Sequence, residues 1–187
     1  KMPRKESITL EQINQAAFEL VRESGFTELT ARKLAAKAGC STQPIFRVYK
    51  NMDELKQVVY EKAIETYGKF YDSFPKGNAL PFVNLGQAYI QFAAKEKQLF
   101  ELLFLNQDRA ALSQGKGFYE ILNGNKGNVM WEIQKARADG CRDADQLFMK
   151  MWIFIHGAAC MTTTGDYDLS AEETIRLLED SYRSFLG

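Results

Sequence analysis

The sequence predicts an all-α protein of about nine helices, with three helices at the N-terminus and a helical bundle after them. Capping patterns support this fold class, because Thr9, Asn51 and Ser170 are each followed three residues later by Gln or Glu. Apolar residues then recur at intervals of three and four, as on one face of a helix. No segment requires a strand. At 187 residues, 45% of them hydrophobic, the chain is long enough for one or two domains with cores.

The first two helices are bounded by threonine and glycine. The first begins after Thr9 and ends at Gly25, and the second, shorter helix begins after Thr30 and ends at Gly39. A third helix starts in "GCSTQPIFRVYK", where Ser41 is expected to be the N-cap. Pro44 then falls in the first turn, where its missing N–H breaks no intrahelical bond. A short helix, a turn of about three residues and a second short helix are the spacing of a helix-turn-helix.

The remaining two thirds of the chain also read as helices. A long one runs from Asn51 to about Phe74, the segment "PKGNALP" interrupts it, and Pro81 suits the first turn of the next. A short buried helix follows in "KQLFELLFL". Residues 106–128 contain four glycines and are expected to form a mobile connection with one helical turn near residues 118–122. Three helices complete the chain, at about 128–138, at 143–163 and after Ser170.

Composition excludes several classes of protein. The net charge is zero, although the first 60 residues hold ten basic against seven acidic side chains. The longest apolar run, which begins at Met151, is too short to span a bilayer, and the N-terminus shows no signal-peptide core. We therefore expect a cytoplasmic protein without a membrane partner. The three cysteines are widely spaced and indicate neither a disulfide framework nor a metal site, and no cofactor motif is present.

Residues 8–64 resemble the DNA-binding domain of TetR-family transcriptional regulators. The resemblance rests on "AAFELVRESGFTELTARKLAAKAGCSTQPIFRVYKNMDELKQVV", in particular on Gly39, Ser41, Phe46, Tyr49 and Leu55. It implies a DNA-binding domain at 1–51 and a ligand-binding and dimerisation domain at 52–187. It also implies a homodimer that binds a palindromic operator in double-stranded DNA and acts as a repressor released by a small apolar or aromatic effector.

The same resemblance implies which residues meet the DNA. Thr42, Gln43, Pro44 and Arg47 would form the base-reading face, and Lys50 would contact a phosphate. Phe46 stands where the family commonly has a tyrosine whose hydroxyl binds phosphate, so its ring would pack or touch a thymine methyl. The complete set of implied DNA-binding residues is Thr30, Arg32, Lys33, Thr42, Gln43, Pro44, Phe46, Arg47 and Lys50. Arg4 and Lys5 would add sequence-independent affinity.

The C-terminal part is rich in aromatic residues, and "KMWIFIHGAACM" is similar to the Trp-x-x-x-His-Gly pattern of one TetR C-terminal subclass. His156, the only histidine, lies one turn after Trp152 on the same helical face. Two interpretations remain open: a hydrogen-bonded core histidine beside a Gly157 that permits close helix packing, or a polar contact to an effector. The candidate effector residues are Phe92, Phe104, Phe118, Trp131, Trp152 and His156.

A homodimer would use the last two long helices of each subunit. The candidate interface residues are Leu147, Met151, Ile155, Ile175, Leu178, Tyr182 and Phe185.

Other functions remain as alternatives. One alternative is that the regulator is an activator, and another is that it acts without a small-molecule effector. A third is that it senses oxidants through Cys40, which lies in the turn before the third helix. An enzyme is not expected, because the chain has one histidine, no Ser-His-Asp spacing and no glycine-rich phosphate loop. A nonspecific DNA-architectural protein would be strongly basic, which this chain is not.

Overall fold

The computed structural model describes residues 8–186, apart from the side chain at position 109. All regular structure in this range is helical, which confirms the predicted all-α class. The α-helices are α1 Leu10–Ser24, α2 Ala31–Ala38, α3 Gln43–Val48, α4 Met52–Ser73, α5 Val83–Lys95, α6 Lys97–Phe100, α7 Arg109–Leu112, α8 Phe118–Asn123, α9 Asn128–Ala138, α10 Ala144–Thr164 and α11 Ala171–Leu186. The arm that contains Arg4 and Lys5 lies outside the described residues.

The described range thus holds eleven α-helices where the sequence predicts about nine. The difference is α7 and α8, two short helices inside the glycine-rich connection. A 3₁₀ turn at Phe26–Glu28 and a π-helical turn at Glu101–Leu105 add further short segments. α5 begins at Val83 and does not include Pro81, because Phe82 precedes it with a left-handed φ of 67°. The prediction that Pro81 lies in the first turn is therefore wrong.

Local capping fixes most helix starts, as the sequence predicts. Thr9 and Gln12 form a reciprocal capping box, with the Gln12 N–H donating to Thr9 Oγ1 at 3.2 Å and the Thr9 N–H to Gln12 Oε1 at 2.8 Å. The Glu54 N–H donates to Asn51 Oδ1 at 3.0 Å at the start of α4. Such bonds satisfy N–H groups that have no partner within the helix.

The chain forms two compact units. The first contains the residues up to Glu65 together with Gln98–Gly115, and the second contains Thr66–Lys97 and the residues from Lys116 onward. In the first unit α1 packs on α2. The largest fully buried side chains there include Ile13, Leu34, Ile45 and Leu55. The predicted functional boundary at residues 51 and 52 stays a prediction.

The second unit is built around α5, α10 and α11, which contact one another. Gly86 in α5 makes this packing close, because a Cβ at this position would lie 2.9 Å from Ile155 Cδ1 and 3.1 Å from Leu178 Cδ1. Gly157 does not play this part. A Cβ there would have no neighbour within 4 Å, so no close helix contact is made at Gly157 within the described protomer.

Candidate DNA-binding surface and effector site

The turn between α2 and α3 has the geometry of a helix-turn-helix. Thr30 caps α2, since the Lys33 N–H donates to its Oγ1 at 3.3 Å. Gly39 ends α2 with a left-handed φ of +67°, which glycine adopts without steric cost. The Cys40 N–H then donates to the Ala35 carbonyl at 3.0 Å and closes the turn. Cys40 itself is a free, half-buried thiol, and its redox role stays a prediction.

α3 starts later than the sequence suggests. The helix begins at Gln43, Thr42 occupies the cap position, and no side chain caps it, so the prediction that Ser41 is the cap is wrong. A cap side chain accepts from the second or third N–H of a helix, and Pro44 removes the second. The prediction that Pro44 lies in the first turn is confirmed. Ser41 and Thr42 are exposed, and within the described residues their hydroxyls make no hydrogen bond.

Two buried side chains hold α3 against its own unit. Ile45 is completely buried, and Tyr49 is buried at the C-cap. The Tyr49 hydroxyl donates to Asn14 Oδ1 in α1. Burial raises the pKa of Tyr49, so the hydroxyl stays protonated and remains a donor. Tyr49 therefore orients the third helix.

The implied DNA-binding residues form an accessible surface on α2 and α3, which we call the α2–α3 surface. All nine are exposed except Pro44, which is partly so: Thr30, Arg32, Lys33, Thr42, Gln43, Pro44, Phe46, Arg47 and Lys50. Val48 joins them with 47% of its surface exposed, next to Phe46 at 49%. The sequence reasoning missed Val48. Its position next to Arg47 in α3 could have indicated that it shares the exposed side of the helix.

Several cations on this surface are available for a ligand. Arg32, Arg47 and Lys50 have no ion-pair partner among the described residues. Lys33 forms an exposed ion pair with Glu28. Exposed pairs of this kind contribute little to stability, so a phosphate can replace the carboxylate.

Three of the six predicted effector residues come together in the second unit. Phe118, Trp152 and His156 lie with ring centroids 5.6 to 6.5 Å apart. The sequence reasoning missed Tyr89, whose ring is 4.7 Å from Trp152 and whose Oη lies 3.0 Å from His156 Nδ1. Cys160 Sγ lies 3.6 Å from His156 Nε2. We call these five side chains the His156 cluster.

The polar groups of the His156 cluster are neutral. Burial lowers the pKa of His156 and raises the pKa of the Cys160 thiol. Burial also raises the pKa of Tyr89 well above its ordinary value. The cluster therefore offers hydrogen-bond donors and acceptors without charge, inside a wall of aromatic rings.

The other three predicted effector residues lie elsewhere. Phe92 packs edge-on against Tyr67 at 5.1 Å, in the layer next to Tyr89. Phe104 belongs to the first unit, where its ring is 5.3 Å from that of Phe100. Trp131 is 63% exposed and makes no ring contact with a described residue.

Cavities in the second unit involve residues that the sequence reasoning did not select. One of about 220 Å³ is lined by Gln87, Ile90, Thr162, Tyr167 and Thr174 with their neighbours. A more open one of about 490 Å³ lies along the outer side of α10. The smaller cavity combines side chains from distant parts of the sequence, so no local motif would have marked it.

Most of the predicted interface residues are core residues of the protomer. The five buried ones are Leu147, Met151, Ile155, Leu178 and Tyr182, while Ile175 and Phe185 are partly exposed. The predicted interface set stays a prediction, and the exposed apolar side of α10 is a second candidate, because its side chains are not used in the protomer core. It carries Met149, Ile153 and Met161 and borders the cavity of about 490 Å³. Ile153 is 66% exposed.

Together these features describe an all-α protein with a helix-turn-helix in one unit and an aromatic-lined helical bundle in the other. The same architecture occurs in solved TetR-type transcriptional regulators. A TetR regulator from Haloarcula marismortui is 18% identical, with 93% of this chain and 96% of that chain covered and a TM-score of 0.68. A TetR-like regulator from Rhodococcus sp. RHA1 is 16% identical over 100% and 98% of the two chains, with a TM-score of 0.64.

FadR from Bacillus subtilis, solved in complex with stearoyl-CoA, is 18% identical over 96% and 98% of the two chains, with a TM-score of 0.63. The chain therefore has the fold of TetR-type transcriptional regulators along nearly its whole length. No protein-family model matches the sequence, and neither does any curated protein. Within residues 8–186, no helix combines the length and the apolar character that a bilayer crossing needs.

Proposed function

We propose that the protein is a sequence-specific DNA-binding transcriptional regulator, a repressor that a small apolar or aromatic molecule releases from its operator in the cytoplasm. The observation that carries this proposal is the exposed α2–α3 surface, within a fold that matches solved TetR-type regulators over 93% or more of this chain. Free cations and exposed polar groups on a short, anchored helix are what recognition of the major groove requires.

The side chains of the α2–α3 surface divide into two roles. Thr42, Gln43 and Arg47 have the polar groups that read base edges, and Arg47 is suited to the O6 and N7 of guanine. Phe46 and Val48 provide exposed apolar surface for the methyl group of thymine. The remaining cations on this surface would bind phosphates and set the position of the helix without reading sequence.

The proposed regulator is a homodimer that reads a palindrome. Two α3 helices would bind half-sites about 34–36 Å apart, one turn of DNA. The exposed apolar side of α10, centred on Ile153, supports this proposal, because a large exposed apolar patch usually marks an interaction site. Gly157 has open space around it on the same helix, which leaves room for a partner helix to approach.

The proposed effector site is the His156 cluster. Its neutral His156 and Tyr89 would orient a ligand through hydrogen bonds, while Trp152 and Phe118 would cover its apolar part. The stearoyl-CoA complex of Bacillus subtilis FadR supports a ligand-responsive role, because a protein of this fold binds a ligand with an apolar chain. Effector binding would lower operator affinity by no more than its differential affinity for the two conformations.

The test is fluorescence anisotropy with labelled duplexes from the region upstream of the protein's own gene. A specific duplex should bind more tightly than a scrambled duplex, with an affinity that falls as salt rises. Arg47→Ala should weaken specific binding by about 1–3 kcal/mol. Arg142→Ala is the matched control, because Arg142 is exposed in the second unit and the substitution removes the same charge.

A salt-sensitive but sequence-independent affinity would contradict the regulatory proposal. Equal loss on specific and scrambled duplexes in Arg47→Ala would assign Arg47 to a phosphate instead of a base.

A further inference from the structure

A polar cavity of about 360 Å³ lies in the second unit, beside the end of α4 and the first turns of α9. Its walls include Lys76, Lys126, Lys135, Asn128 and Trp131. We call it the lysine cavity. The volume is within the range of small-molecule sites, although the walls are more polar than those of a typical apolar pocket.

The cavity walls carry excess positive charge. Three lysines face one carboxylate, that of Glu132. Glu132 is buried, and its Oε2 accepts a hydrogen bond from the Phe82 N–H at 2.8 Å, with Lys135 Nζ at 3.5 Å. The carboxylate thus binds the backbone N–H of Phe82, which has a left-handed φ, and it neutralises at most one of the three ammonium groups.

The other two lysines carry charge that Glu132 does not neutralise. Lys126 pairs with Asp72 at 2.8 Å, but both groups are well exposed, and such a pair is weak and exchangeable. Lys76 Nζ donates to the carbonyls of Tyr71 at 2.7 Å, Asp72 at 3.3 Å and Phe74 at 3.2 Å, near the end of α4, so an anion has to exchange with one of these bonds. No described carboxylate forms an ion pair with Lys76.

A planar surface adjoins these charges. Trp131 exposes 63% of its surface and has no ring contact with a described side chain, although an indole of this size usually gains much from burial. Its free face can stack on a planar ring, an interaction that tolerates many ring types. Tyr71 also lines the cavity and is buried, with Lys76 Nζ 4.5 Å from its ring centroid.

The floor of the cavity is preformed. The Asn78 N–H donates to Asn84 Oδ1 at 3.0 Å, and Asn84 Nδ2 donates to the Asn78 carbonyl at 2.7 Å. Asn78 Nδ2 also donates to Glu179 Oε1 at 2.6 Å, which ties this loop to α11. A site whose polar groups already have fixed positions loses less entropy when it binds a ligand.

We propose that the lysine cavity binds an organic anion that carries a planar ring. The anionic head, a carboxylate or a phosphate, lies between Lys76, Lys126 and Lys135, and the ring stacks on Trp131. This site is separate from the His156 cluster, which offers no charge to an anion. Binding is measured without DNA, so it is independent of the proposed DNA-binding function; only an effect of the anion on operator affinity rests on that function.

The test is isothermal titration calorimetry of the full-length protein with four probes: AMP, benzoate, adenosine and inorganic phosphate. AMP or benzoate should bind with a Kd below about 1 mM. Adenosine, which lacks the charge, and phosphate, which lacks the ring, should each bind at least about tenfold more weakly than the tighter of AMP and benzoate. Tighter binding of AMP assigns the head group to phosphate, and tighter binding of benzoate assigns it to carboxylate.

Variants connect the binding to the cavity. Trp131→Ala should weaken binding about fivefold or more, whereas Trp131→Phe keeps a ring and should retain most of it. Lys126→Gln should weaken binding about two- to fivefold. Lys69→Gln, on an exposed part of α4 in the same unit, removes the same charge and should have no effect.

Three results would overturn the proposal. In the first, neither AMP nor benzoate binds below about 1 mM. In the second, adenosine or phosphate alone binds as tightly as the tighter of AMP and benzoate. In the third, Trp131→Ala and Lys126→Gln bind like the parent protein. Both side chains are exposed, so circular dichroism and urea midpoints should match the parent and exclude misfolding as the cause of a loss.

Discussion

Replacing Gly86 by alanine tests the packing of α5 against α10 and α11. The new Cβ would lie 2.9 Å from Ile155 Cδ1, 3.0 Å from Ile155 Cγ1 and 3.1 Å from Leu178 Cδ1. Carbon atoms in contact are normally about 3.5–4.0 Å apart. Ile155 and Leu178 are each 1% exposed, so neither side chain can move into solvent. The substitution should therefore cost about 1–3 kcal/mol through overpacking.

Alanine also favours a helix over glycine by about 1 kcal/mol, which offsets part of this cost. Gly68→Ala is the matched control. Gly68 lies inside α4 in the same unit, and a Cβ there would have no neighbour within 4 Å. Gly68→Ala should stabilise the protein by about 0.5–1 kcal/mol, whereas Gly86→Ala should leave it unchanged or destabilise it by up to about 2 kcal/mol. The difference between the two variants, about 1–3 kcal/mol, is the quantity of interest.

The assay is urea-induced unfolding followed by tryptophan fluorescence, which reports on the second unit because Trp131 and Trp152 both lie there. Equal stabilisation by Gly68→Ala and Gly86→Ala would refute the close approach of the three helices.

Three further substitutions test other parts of the structure. Tyr49→Phe removes the hydroxyl that donates to Asn14, so the free energy of unfolding in urea titrations should fall by about 1 kcal/mol. Operator binding measured by anisotropy should also weaken. Unchanged values in both assays would show that this hydrogen bond does not hold α3 in place. Burial lowers the pKa of His156, so the unfolded chain takes up a proton first as pH falls, and the free energy of unfolding should decline as pH drops through and below about 6.5. In His156→Gln the urea midpoint should depend less on pH between about 7.5 and 5.5. An identical pH dependence in both proteins would contradict the burial of the imidazole. Ile153→Asp should convert the proposed dimer to a monomer in light scattering, whereas Met130→Asp, which changes an exposed side chain of α9, should not. A dimer in both variants would place the interface elsewhere.

Features that depend on short-range chemistry could be predicted from the sequence. The capping pairs at Thr9 and Asn51 involve residues three apart, so the pattern alone determines the bond. The same holds for Gly39, whose left-handed φ ends α2. Ser41 failed as a cap because Pro44 deletes one of the N–H groups that it would bind, and the chain then starts the helix at Gln43.

Features that depend on tertiary packing could not be predicted in this way. α10 is apolar on several sides, so its sequence does not reveal that Met151 and Ile155 face the protomer core while Ile153 faces outward. For the same reason the sequence suggests a close helix contact at Gly157, whereas within the protomer this contact is made at Gly86, which lies 71 positions earlier on another helix.

Spacing along the chain enforces only part of the His156 cluster. Trp152 and His156 are one helical turn apart and must lie together. Tyr89 and Phe118 reach them only through the packing of other helices, and Trp131 turned out to be an exposed ring in the lysine cavity. An aromatic residue in a sequence does not specify whether its ring fills a core or stands free.

Whether the α2–α3 surface reads DNA sequence is tested by anisotropy titration of the upstream duplex with the parent protein, Arg47→Ala and Arg142→Ala. We expect specific binding by the parent and by Arg142→Ala, and a loss of about 1–3 kcal/mol in Arg47→Ala that is confined to the specific duplex. Equal affinities of all three proteins for specific and scrambled duplexes would contradict a regulatory role for the α2–α3 surface.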